Sequence, residues 1–148
     1  MLESLARTGE QVPVRNNQVF LSCSVSDSRF ALALAKALGK HGVKVWFAET
    51  PRTGTTFERW LRKALKTAAW HVVLASDQAL TSPWVNFELG AALGEGKRVV
   101  PVFLSDAARR DAHSPLTLYQ GIMAQGMSPG DLAERVLELI EHAAERAA

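Results

Sequence analysis

Residues 70–104 read WHVVLASDQALTSPWVNFELGAALGEGKRVVPVFL. Two apolar runs, 70–75 and 98–104, bracket a helical pattern at 82–95. Each run is short, rich in β-branched residues and almost unbroken by polar ones. That is the pattern of a strand covered on both faces, which is found in parallel sheets. The segment between them has a helix start, with Ser82 as N-cap and Pro83 at the first helical position. A strand, a helix and a second parallel strand make a right-handed βαβ unit.

The same rhythm extends in both directions. Residues 19–23 read as strand 1. Residues 27–40 read as a helix, with Phe30, Leu34, Ala37 and Leu38 at spacings of three and four, stopped by Gly42. Residues 43–47 are strand 2, and 48–56 are a loop rich in Thr, Pro and Gly. Residues 57–69 form a helix whose apolar face holds Phe57, Trp60, Leu61, Ala64 and Leu65. After strand 4, residues 105–119 read as irregular and 120–124 as a weak fifth strand. Ser128-Pro129 opens a last helix with Leu132, Val136, Leu139, Ile140 and Ala143 on one face. The expected fold is α/β: a flavodoxin-like three-layer sandwich with a five-stranded parallel sheet, order 2-1-3-4-5. Its switch point lies between strands 1 and 3, so the turns at 24–27 and 76–82 should border a crevice. Residues 1–17 read as a leader, 18–146 as the domain, and 147–148 as its end or the start of a linker.

Composition narrows the function. The 148 residues suffice for one domain with a real core. A net charge of +2, without arginine runs interleaved with aromatics, argues against direct nucleic-acid binding. The single cysteine, Cys23, lies in an apolar run and fits a reducing, cytoplasmic setting. No stretch approaches the ~20 apolar residues of a membrane span. No pair of histidines suggests a metal site. The turn after strand 1, Ser24-Val25-Ser26-Asp27, lacks the glycines of a dinucleotide fingerprint, and neither a Walker lysine loop nor G-x-S-x-G is present. A receiver domain would need paired acids after strand 1, where Asp27 stands alone.

Trp84 and Glu88 remain. A spacing of four puts indole and carboxylate on one helix edge, and that helix begins at the crevice. An acid held there beside a flat aromatic is a candidate catalytic group. Trp84 could serve substrate or simply fill the helix–sheet seam.

Taken together, these pieces resemble the bacterial form of the TIR (Toll/interleukin-1 receptor) domain over roughly residues 19–140. Val19-Phe20-Leu21-Ser22-Cys23-Ser24-Val25-Ser26-Asp27 resembles its first strand and turn, and Val45-Trp46-Phe47 its second strand. Arg52-Thr53-Gly54-Thr55-Thr56-Phe57 is similar to its BB loop. Ser82-Pro83-Trp84 followed by Glu88 matches its serine–tryptophan–acid signature. Pro101-Val102-Phe103-Leu104 and Pro115-Leu116…Tyr119-Gln120 fit as well. Two positions depart from the family pattern. Ala48, followed by Glu49, stands where an Asp is common, and Cys23 or Ser24 stands where an aromatic is common.

The resemblance implies cleavage of the nicotinamide–ribose bond of NAD, with Glu88 as the catalytic acid. Substrate-binding candidates are Trp84, Ser22, Ser24, Asp27, Arg29, Phe47, Arg52, Thr55 and Phe57. NAD would be the substrate, with no other cofactor and no metal. The products would be nicotinamide plus ADP-ribose or a cyclic ADP-ribose. The family further implies a role in antiviral defence, activation by self-association through TIR–TIR contacts, and a fused or separate sensor domain. Two alternatives stay open: a noncatalytic TIR adaptor, and another kind of flavodoxin-like nucleotide-binding protein.

Overall fold

The computed structural model describes residues 17–47, 54–112 and 116–147, with the side chains of Thr55, Leu118 and residues 144–147 outside that description. Five strands form one sheet: β1 (Val19–Ser22), β2 (Val45–Trp46), β3 (Trp70–Ala75), β4 (Arg98–Phe103) and β5 (Ile122–Met123). Their order is β2-β1-β3-β4-β5, and every pairing is parallel. The expected order and switch point are therefore observed. β3 is central, with Phe20 opposite His71 and Ser22 opposite Val73.

Among the described residues, six helices cover the sheet: α1 (Ser28–Lys40), α2 (Gly54–Thr67), α3 (Asp77–Leu80), α4 (Pro83–Gly94), α5 (Asp106–Asp111) and α6 (Pro129–Ala147). Alternation along the strands sorts the core into two layers. Val19, Leu21, Trp70, Val72 and Leu74 face α1 and α6, packing with Leu34, Leu38, Leu132, Val136 and Ile140. The neighbouring residues face the other way. Phe20 packs with Leu61 and Ala64 of α2 and with Ala68 just beyond it, while Val73 and Ala75 pack with Val85 and Leu89 of α4. Each such buried aliphatic side chain contributes about 1.5–3 kcal/mol.

Local chemistry explains most boundaries. Gly42, at φ +83°, ends α1 in a left-handed turn, and Val43 N–H bonds back to Leu38 O at 3.2 Å. Ser82 caps α4 by accepting Val85 N–H at 3.2 Å, with Pro83 opening the first turn as expected. Strands 1, 2, 4 and 5 are shorter than their apolar runs; β4 stops at Phe103, opposite Ala75, where β3 itself ends.

Three expectations fail. The helix expected from 57 begins at Gly54; Thr55 and Thr56, weak helix formers, hide its first turn. The turn at 76–82 contains α3, whose four residues are too few to show a period. The irregular stretch 105–119 contains α5 and a 3-10 turn at Leu116–Leu118. α5 reads Asp-Ala-Ala-Arg-Arg-Asp and carries no apolar stripe, but Ser105 caps it through Ala108 N–H at 3.0 Å. Among the described residues, no helix is long and apolar enough to cross a membrane.

Candidate functional site

The site lies in the groove between α2 and α4, where α2 packs on Phe20 of β1 and α4 on Val73 and Ala75 of β3. α4 sits with Val85 and Leu89 on β3 and β4, whereas Trp84 packs with the α2 cluster. The helix edge bearing Trp84 therefore faces α2. Glu88, one turn further, follows that edge down into the groove and is only 1% exposed. A carboxylate that deeply buried is rare in a globular domain.

The upper wall of the groove is aromatic. Phe57 of α2 lies 5.4 Å from Trp84, ring centre to ring centre, and 5.6 Å from Trp60. Trp60 reaches Phe20 and Trp46, each at 6.1 Å. On the outer side, Phe87 lies 5.5 Å from Trp84 and is 56% exposed. This continuous series of rings locks α4 against α2 and so sets the direction in which Glu88 enters.

The floor is polar. On β1 and β3, Ser22 and His71 point to the α2–α4 side, and both are fully buried. Ser22 Oγ and His71 Nε2 are 2.5 Å apart. His71 Nδ1 has no hydrogen-bond partner among the described residues. A proton on Nδ1 would be a buried donor without an acceptor, so the proton belongs on Nε2, which donates to Ser22 Oγ. Burial pushes the imidazole from 6.5 down to about 3, so His71 is neutral at physiological pH.

At the mouth stands a hydroxyl cluster. Asp27 Oδ2 accepts from Ser24 Oγ at 2.8 Å and from Ser76 Oγ at 2.5 Å. Ser24 Oγ is also 2.9 Å from Ser26 Oγ. Asp27 stands at the N-cap position of α1 but makes no side-chain cap there. Its carboxylate instead joins the turn after β1 to the end of β3.

The α2–α4 side of the sheet thus carries Glu88, Trp84, Phe57 and Ser22, with Ser24 and Asp27 in the turn after β1. Arg29 is exposed on α1. Phe47 packs against the α1–α6 layer, on the opposite side of the sheet from Glu88. Arg52 lies outside the described residues, as does the side chain of Thr55. Sequence reasoning passed over His71 and Ser76. His71 had a signal, as the lone polar residue in the apolar run of β3. Ser76 had a weaker one, a capping residue directly after a strand.

A parallel sheet of order 2-1-3-4-5 with helices on both faces, and a single buried acid among the described residues, defines a flavodoxin-like domain with its switch point between β1 and β3. The family model for the TIR domain matches residues 19–140, and the chain belongs to that family. A comparison with curated proteins finds no match. Among solved structures, the chain is similar to TIR domains of the activated Roq1 resistosome, which directly recognises the pathogen effector XopQ. That likeness has a TM-score of 0.52 and 23% identity, covering 83% of this chain and 71% of that one. It is also similar to the CMP N-glycosidase BcmB of Clostridium botulinum, with a TM-score of 0.51 and 14% identity, covering 80% of this chain and 97% of that one. At these identities the shared property is the fold.

Proposed function

We propose that this domain cleaves NAD between nicotinamide and ribose, with Glu88 as the catalytic carboxylate. The observation that carries the reading is Glu88 itself, at 1% exposure in the α2–α4 groove beside Trp84. Burying a carboxylate costs several kcal/mol, and at a crevice that cost is a mark of function. In the reaction the ribose C1′–N bond breaks and its electron pair goes to the pyridinium nitrogen. Nicotinamide leaves neutral, so no general acid is needed. Positive charge develops on the ribosyl carbon and ring oxygen, and the Glu88 carboxylate stabilises it. Addition of water, with loss of its proton, gives ADP-ribose; addition of a nucleophile from the same molecule gives a cyclic isomer. The second structural neighbour is a CMP N-glycosidase, an enzyme named for cleaving an N-glycosidic bond, which supports this reaction type for the fold.

In this reading Trp84 and Phe57 wall the reacting centre from water, and Ser24 and Asp27 meet the nucleotide at the mouth. Arg29 and Arg52 serve the pyrophosphate, while Ser22 and Thr55 support the site; Phe47, on the other face of the sheet, takes no part. The domain acts in cytoplasmic antiviral defence and works when a fused or separate sensor drives TIR–TIR self-association. The first structural neighbour is drawn from a resistosome assembly, which supports the self-association part. The adaptor reading is favoured by one observation: Phe87 and Val25 are large apolar side chains left exposed, and they suit a partner surface.

Incubation of clustered protein with NAD, with products resolved by chromatography and mass spectrometry, tests the proposal. Wild type should release nicotinamide and Glu88→Ala should not. Equal release from both, or none from the clustered wild type, would sink it.

A further inference from the structure

Ser76 directly follows β3, and its hydroxyl serves two partners. It accepts Ala79 N–H at 3.1 Å and gives its single proton to Asp27 Oδ2. The Ser24 proton goes to the same oxygen, so Ser26 must be the donor in the contact between the two serines. All three hydroxyl protons therefore point one way, from Ser26 to Ser24 to Asp27 and from Ser76 to Asp27. Such a chain suits an ionised carboxylate, which only accepts. Ser24 follows β1 and Ser76 follows β3, the two strands that flank the switch point. One oxygen of Asp27 thus ties both walls of the crevice mouth. With Oδ2 taken twice and the side chain half-exposed, Oδ1 is left as an acceptor of fixed direction.

We infer that Ser76 is a positioning residue for ligand binding: it locks the Asp27 carboxylate so that Oδ1 can accept from a hydroxyl of a ribose diol. Asp27 is the contacting group, and Ser76 acts through it. The inference deepens the proposed function and rests on its reading of the crevice as a nucleotide site. A plain helix cap, the structural alternative for Ser76, would hold α3 and have no bearing on which sugar hydroxyls the protein prefers.

The test measures binding of ADP-ribose, and of an analogue lacking one ribose hydroxyl, to wild type, Ser76→Ala and Ser76→Thr, with circular dichroism confirming each fold. Wild type should prefer ADP-ribose. Ser76→Ala should bind it about tenfold more weakly, as expected for an acceptor that has lost its fixed direction, and should lose most of the preference. Ser76→Thr, which keeps the hydroxyl, should restore both. Should Ser76→Ala fail to fold, Asp27→Asn replaces it, with the same loss of preference expected. No measurable ADP-ribose binding by wild type, or an unchanged preference in the variant, overturns the inference. NAD turnover by clustered protein separates this from the larger proposal. Turnover with an unaltered KM in Ser76→Ala overturns the Ser76 role alone. Hydroxyl-selective binding that Ser76→Ala loses, without turnover by the clustered wild type, overturns NAD cleavage and upholds the Ser76 role.

Discussion

The buried Ser22–His71 pair should make the domain lose stability in mild acid, and removing the pair should abolish that loss. In the unfolded chain the imidazole titrates near 6.5; in the fold burial holds it near 3. Between those values the unfolded state binds a proton that the folded state refuses, so stability falls as pH falls. Above 6.5 the contribution is fully present, and below about 3 it is fully lost. At pH 5 the unfolded chain has gained about 1.5 units of protonation free energy, about 2 kcal/mol at 1.36 kcal/mol per unit. The double variant Ser22→Ala/His71→Leu replaces both polar partners with apolar groups and leaves no orphan behind. Ser22→Ala alone would strand the buried Nε2–H and cost about 1–3 kcal/mol at any pH above 6.5. Urea denaturation followed by circular dichroism at pH 7.5 and 5.0 is the assay. Groups common to both proteins cancel in the difference of differences. Wild type should lose about 2 kcal/mol more than the double variant between the two pH values. Equal losses, with equal denaturant slopes, would refute the claim that His71 is buried neutral against Ser22.

Gly121→Ala should destabilise the domain by about 1–3 kcal/mol of overpacking, read as a lowered melting temperature, because a Cβ there would lie 2.6 Å from the Phe103 ring and 2.9 Å from Pro101 O. Ser82→Ala removes the cap on α4 and should cost about 1 kcal/mol in urea denaturation. Phe57→Ala takes away the ring against Trp84; tryptophan fluorescence should shift to the red, and nicotinamide release should fall more than stability does. If fluorescence does not move, Trp84 is not held by α2.

The pattern of apolar runs carried most of this fold. β3 and β4 were legible because each is covered by helices on both faces, so its residues must be apolar almost without a break. α4 was legible because Ser82 and Pro83 mark its start chemically. α3 and α5 were not, since helices of four and six residues are held by a capping serine and by their neighbours rather than by a stripe of their own. The site was legible in part. Trp84 and Glu88 could be placed on one edge by spacing, and topology put that edge at the crevice.

What spacing could not say is how deep Glu88 lies. Its burial comes with the packing of α4 beside α2, an element far back in the chain, where Phe57 meets Trp84. The two polar pairings of the site have the same character. Ser22 meets His71, and Asp27 meets Ser76, each across 49 positions of sequence. Hydrogen bonds over such separations leave no periodic trace, because each needs two strands in register and a particular rotamer at each end. The sequence by itself determined the layers, the strand order and the edge on which the acid stands. The tertiary structure decided which polar groups face one another inside the crevice, because only the closed sheet brings the ends of β1 and β3 side by side.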